Sequence, residues 1–263
     1  MKKTLQTVCA ALATLAVLAL TGCKDTAALK SAVEEANKNL PQLLASVGQA
    51  TGLTVDDNAL TCELTANGLS AADQAVIGKY AALELQRSLP DLMKMAVENG
   101  LTLKCNVKNE NGESTPVEVS ADELKTLGDQ FAAAGGQVAP VVLPLYNAAL
   151  KSSLPLEIGE GLTLKDVKLK EGKQTFFINV DDEKAKFDDV RGKIVKSLEN
   201  ASEKVSLAGI NLSMVLPLLQ ELNYEAIFRY SAKGGKETFM EITAQEIKDF
   251  LTKGDAPEAE EAK

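Results

Sequence analysis

Two stretches of this chain lie 123 residues apart and align without a gap, and that repetition constrains the fold more than any other feature. Residues 101–125 read LTLKCNVKNENGESTPVEVSADELK, and residues 224–248 read YEAIFRYSAKGGKETFMEITAQEIK. Each reads as a strand, a Gly-containing turn, a second strand and the start of a helix. Asn111-Gly112 and Gly234-Gly235 supply residues that tolerate the positive φ of a tight hairpin. Ser120 with Glu123, and Thr243 with Glu246, have the capping-box spacing, in which hydroxyl and carboxylate satisfy the orphan N–H groups of a first helical turn.

Upstream of these segments the match is looser. Gly52-Leu-Thr-Val-Asp-Asp57 is similar to Gly161-Leu-Thr-Leu-Lys-Asp166, and each is expected to open the first strand region of its half. A long helix should precede each hairpin, over 70–99 and over 183–222, the second marked by the stripe Phe187, Val190, Ile194, Leu198. Leu-Pro steps at Pro41, Pro90, Pro144 and Pro217 predict kinks or the first turns of new short helices, because proline inside a helix costs about 3 kcal/mol. The pattern predicts an α+β fold of two tandem modules, each with a long kinked helix on a small antiparallel sheet. The modules span 23–135 and 136–253, divided where Gly135 and Gly136 break a helix. Residues 254–263, GDAPEAEEAK, are charged, lack large apolar side chains, and are expected to be a disordered tail.

The first 23 residues read MKKTLQTVCAALATLAVLALTGC. Lys2 and Lys3 precede an uncharged apolar run from Leu5 to Leu20, shorter than the roughly 20 residues a spanning helix needs but suited to a signal-peptide core. The run ends in Leu20-Thr21-Gly22-Cys23, which resembles the lipobox of bacterial lipoproteins. The resemblance implies cleavage after Gly22, removal of 1–22 as a signal peptide, and attachment of acyl chains to Cys23. Lys24, in place of an aspartate, is similar to the sorting pattern of proteins sent to the inner leaflet of a diderm outer membrane, body in the periplasm; a monoderm host would display it outside the cell. Loss of Lys2 and Lys3 leaves 26 basic against 37 acidic side chains, a net −11, so the lipid rather than charge must hold the body at an anionic membrane.

Of four cysteines, Cys9 leaves with the signal peptide and Cys23 carries lipid. Cys62 and Cys105 remain in an exported chain, where a disulfide can persist. Alternation puts Leu60, Cys62 and Leu64 on one strand face, and Leu101, Leu103, Cys105 and Val107 on another, so both thiols point inward. A structural bridge between them is expected. A redox-active pair is disfavoured, since no Cys-x-x-Cys or electropositive surround is present. The repeat places Phe228 where the first half has Cys105.

The chain contains no histidine, which removes imidazole-based triads and His-ligated metal sites. Its formal charge of −9 argues against a nucleic-acid partner. Phosphate-binding loops and catalytic serine motifs are absent, and Gly159-Glu-Gly161 lacks the third glycine of a dinucleotide fingerprint. The carboxylates Asp181, Asp182, Glu183, Asp188 and Asp189 could ligate Ca²⁺, but capping at a strand-to-helix junction accounts for the first three. No metal, no cofactor and no enzymatic activity are therefore expected. The apolar stretch 205–222, with 138–145, reads as core packing or as the lining of a groove. The leading expectation is a membrane-anchored, non-enzymatic module that binds an envelope protein or acts as a scaffold, through its sheet faces or the groove between modules. A carrier of a lipid or hydrophobic ligand is the alternative, and a carboxylate-based hydrolase a weaker one.

Overall fold

The computed structural model describes residues 26–254 except 41, 45–47, 67–68, 70, 110, 182–205, 208–209, 233–234 and 236. The fold is α+β, with seven helices and two five-stranded sheets among the described residues. Helix α1 (Thr26–Asn37) leads into β1 (Gln42–Leu44), β2 (Gly48–Val55) and β3 (Ala59–Thr65), an antiparallel meander. Two helices, α2 (Ala71–Ser88) and α3 (Pro90–Glu98), then cross over to β4 (Thr102–Lys108), which pairs with β3 in parallel. A hairpin to β5 (Ser114–Val119) and helix α4 (Ala121–Ala133) follow.

The second run begins with α5 (Ala139–Ser152) and the meander β6 (Leu156–Gly159), β7 (Leu162–Lys170), β8 (Lys173–Val180). A two-stranded ribbon, β9 (Ser206–Leu207) with β10 (Ile210–Asn211), precedes α6 (Leu212–Glu221). Strand β11 (Glu225–Ala232) pairs with β8 in parallel and with β12 (Glu237–Ile242) antiparallel, and α7 (Ala244–Gly254) ends the described chain.

Both sheets are therefore mixed, which corrects the expectation of antiparallel sheets. A strand that returns through a helical crossover lies parallel to the one it left, whereas the sequence pattern alone reads out only the hairpins. The expected helix over 183–222 is corrected as well: Ser206–Leu207 pairs with Ile210–Asn211 as the β9–β10 ribbon, so among the described residues the helix before β11 is 212–221. Ile210 there is β-branched and favours a strand over a helix. The stripe from Phe187 to Leu198 lies outside the described residues.

Over 70–99 the helix breaks at Leu89, whose extended φ of −133° is what a residue preceding proline adopts, and Pro90 starts α3 at its first turn. Pro144 and Pro217 sit inside α5 and α6. At the predicted junction, Gly135 and Gly136 take positive φ and the Gly136 N–H donates to the Phe131 carbonyl (2.9 Å), ending α4. Both expected capping boxes form: the Ser120 and Thr243 hydroxyls accept from the Glu123 and Glu246 N–H groups, and each carboxylate returns to its cap N–H. Helix α7 extends through Gly254, one residue into the expected tail.

Helices cover one face of each sheet and meet one another, α2 against α5 and α5 against α6, in one continuous apolar core. The opposite sheet faces carry Thr61, Glu63, Lys104 and Asn106 in the first sheet, and Thr175, Phe177, Ile227 and Arg229 in the second.

Strand order coincides between the sheets, and register does too except at the end of β6, where a shift between Glu157 and Gly159 has no counterpart in β1. Gln42, Ala50 and Cys62 hold the places of Leu156, Leu164 and Phe176, an offset of 114, while β4 and β5 hold those of β11 and β12 at an offset of 123. Both second strands carry a bulge at the same place, between Ala50 and Gly52 and between Leu164 and Asp166. Thr102 donates to the Asn58 carbonyl (3.0 Å) as Glu225 does to that of Gly172 (2.9 Å). Gly100 and Asn223, both at positive φ, end α3 and α6 before closing bonds from Leu101 to Ala96 and from Tyr224 to Leu219. These registers put Gly52 level with Asp166, so the expected match of Gly52 to Gly161 is five residues out of step, and β1 and β6 open the sheets ahead of both motifs.

Candidate functional site

At the centre of the first sheet Cys62 and Cys105 are register partners on β3 and β4, both wholly buried. Neighbouring strands run about 4.8 Å apart, inside the roughly 4.4–6.8 Å Cα range that a disulfide spans. Here the two are free thiols in contact. A hydrogen bond with Cys62, then burial, then repulsion from its neighbour hold the Cys105 thiol well above the usual range, so the Cys105 sulfur is not poised as a nucleophile. The same places in the second sheet hold Phe176 and Phe228, also wholly buried, their rings stacked at 5.0 Å and 16°.

Between the helices lies a charged seam. Glu84 of α2 is 3% exposed and pairs with Arg87 at 2.5 Å, while Arg87 also approaches Glu221 of α6 at 4.0 Å. The Glu221 carboxylate accepts from the Val138 and Ala139 N–H groups (3.0 and 3.2 Å), capping α5 from a distant part of the chain. Burial pushes the Glu84 carboxyl above the ordinary glutamate range; Arg87 opposes that shift and Glu221 adds to it. The folded state therefore holds the Glu84 proton more tightly than the unfolded chain. Its stabilising contribution is greatest below the ordinary glutamate range and falls as pH rises through the raised value. Glu84→Gln should remove that decline, so that urea midpoints of variant and parent diverge in the variant's favour from about pH 4 to pH 7. Parallel curves would show that the carboxyl titrates normally.

The apolar stretch 205–222 contributes Met214, Val215, Leu216, Leu218 and Leu219 to the core, against Val138, Val142 and Leu143 of α5. All of these side chains are buried. A concavity of about 220 Å³ lies instead between the start of α2 and the β4–β5 hairpin, lined by Ile77, Val107 and Val117 but also by Asn109, Asn111 and Glu113. It falls below the roughly 300 Å³ at which small-molecule pockets begin.

The outer face of the second sheet differs from its counterpart. One register row runs Asp166, Phe177, Arg229, Phe239, where the first sheet has Gly52, Glu63, Asn106, Pro116. Lys168 lies 4.7 Å above the Phe177 ring and pairs with Asp166 at 3.3 Å. Phe239 is 61% exposed, the one large apolar side chain so exposed among the described residues. Alternation in Glu237-Thr-Phe-Met-Glu-Ile242 already separates outward Phe239 from inward Met240 and Ile242, a signal the sequence reading missed. The long-range cap by Glu221 had no such signal.

Cys23, Asp182, Glu183, Asp188 and Asp189 lie outside the described residues. Asp181 is described; its N–H donates to the Gly161 carbonyl at 2.8 Å. Among the described residues no helix is long and apolar enough to cross a membrane. No protein-family model, curated protein or solved structure matches this chain.

Proposed function

We propose that this chain is a lipid-anchored protein of the bacterial envelope, with a body of two tandemly duplicated α+β modules that binds an envelope protein or serves as a scaffold, without catalysis. The observation that carries the reading is the order of the first 23 residues: a cationic start, an apolar run too short to span a bilayer, then Leu-Thr-Gly-Cys. In a diderm host the anchor is the inner leaflet of the outer membrane and the body faces the periplasm.

Duplication is supported by the shared strand order, the shared bulge and the matching capping boxes, features that unrelated sequences have no reason to share at constant offsets. The oxidising compartment and the cross-strand register of Cys62 and Cys105 support a disulfide between them. The binding reading is supported by the contrast between the two outer sheet faces, one polar and one carrying an aromatic–arginine–aromatic row. Photo-crosslinkers placed at Thr175 and Ser231, on the outer face of the second sheet, should join the protein to one and the same envelope protein in intact cells, identified by mass spectrometry. Absence of a reproducible adduct from either position would overturn the binding reading.

A further inference from the structure

The two sheets end in corresponding edge strands that are defended differently. In β5 the edge carries Pro116 opposite Asn106; in β12 the corresponding place, opposite Arg229, is held by Phe239. Proline is tolerated in an edge strand where the missing N–H would have faced outward, and there it blocks a further strand. By register, the Phe239 N–H faces outward too, with nothing to block it. In an antiparallel ladder the residues whose backbone groups face the open side alternate. The open side of β12 thus belongs to Glu237, Phe239 and Glu241, whose side chains share the sheet's outer face. Among the described residues no strand pairs with that side.

An incoming strand would lay its own side chains across an acidic–aromatic–acidic stripe. Glu241 is held ionised by Lys173 at 2.8 Å, which, followed by Glu225, lowers its pKa. A second copy of the chain fits poorly. Antiparallel pairing of β12 with itself about Phe239 sets Glu237 against the copy's Glu241 twice, and like charges directly opposite destabilise. We propose that the free edge of β12 is a strand-addition site for an extended segment of a partner protein that carries basic residues two places either side of an apolar one. The inference rests on the binding reading but names its own site.

The test titrates the detergent-solubilised full-length protein with a fluorescent heptapeptide that alternates threonine with, in turn, lysine, valine and lysine. Three comparisons are read by anisotropy: the same peptide with glutamate for lysine, the same peptide N-methylated at alternate residues, and the Phe239→Pro protein. Each should bind at least tenfold more weakly. Pro116 shows that the fold accommodates proline at this register place, and the N-methylated peptide needs no protein variant at all. Binding indifferent to N-methylation would mean that charge alone attracts the peptide, and would overturn the proposal. So would a concentration-dependent dimer, seen in sedimentation, that Phe239→Pro abolishes. In-cell crosslinks at Thr175 that persist in Phe239→Pro would sink this site while leaving the binding reading intact.

Discussion

Cys23→Ser should abolish incorporation of labelled palmitate, and a body secreted from Lys24 onward behind an ordinary cleavable leader should be recovered in the soluble fraction. The size of the effect follows from how unequal the two attachment forces are. Each buried methylene contributes about 0.8 kcal/mol; one acyl chain gives only about 10⁴ M⁻¹, and two or three make attachment effectively permanent. Against that, electrostatic attraction requires basic residues near the surface, at about 1 kcal/mol each. From Cys23 onward the chain carries 26 basic and 37 acidic side chains, so an anionic surface would repel it. Retention should therefore be all or nothing. Persistence of label in Cys23→Ser, or sedimentation of the lipid-free body with membranes, would remove both the anchor and the assigned compartment.

What could be read in the sequence was local. The hairpins, both capping boxes, the break at Pro90 and the inward faces of β3 and β4 are written in residues a few places apart, where alternation and capping chemistry act directly. The parallel pairings of β3 with β4 and β8 with β11 depend on where a helical crossover returns the chain, which no short window contains. The looser motif match failed for a related reason. Gly-Leu-Thr occurs in both halves, but Gly52 follows a bulge inside β2 whereas Gly161, at positive φ, turns the chain before β7.

The buried polar pair shows the same limit. Asn147 and Gln174 exchange two hydrogen bonds (2.9 and 2.8 Å) deep in the core, where the register place of Gln174 is held in the first sheet by Leu60. Either amide alone reads as a surface residue. The partner 27 positions away, with the Leu143 carbonyl that the Asn147 amide also reaches (3.1 Å), makes burial tolerable, because a buried amide left unpaired costs about 1–3 kcal/mol.

The largest loss of stability should come from the place where the two sheets diverge most. Phe228→Ala removes a wholly buried ring from the Phe176 stack and leaves a cavity the second sheet cannot collapse into; the expected cost is about 3–5 kcal/mol. For a chain of this size that lowers the melting temperature by about 6–20 °C. The first sheet answers differently at Cys62 and Cys105. Once bridged, the pair stabilises through its restriction of the unfolded chain, so reductant should cost the parent about 2–4 kcal/mol. A Cys62→Ala/Cys105→Ala variant should melt below the oxidised parent and ignore reductant, while Phe228→Ala should keep the parent's full sensitivity to it. The two effects are independent because one acts on the native core and the other on the unfolded ensemble. A parent midpoint unmoved by reductant would show that the thiols remain unbridged, and that close packing alone holds the first sheet as it does the second.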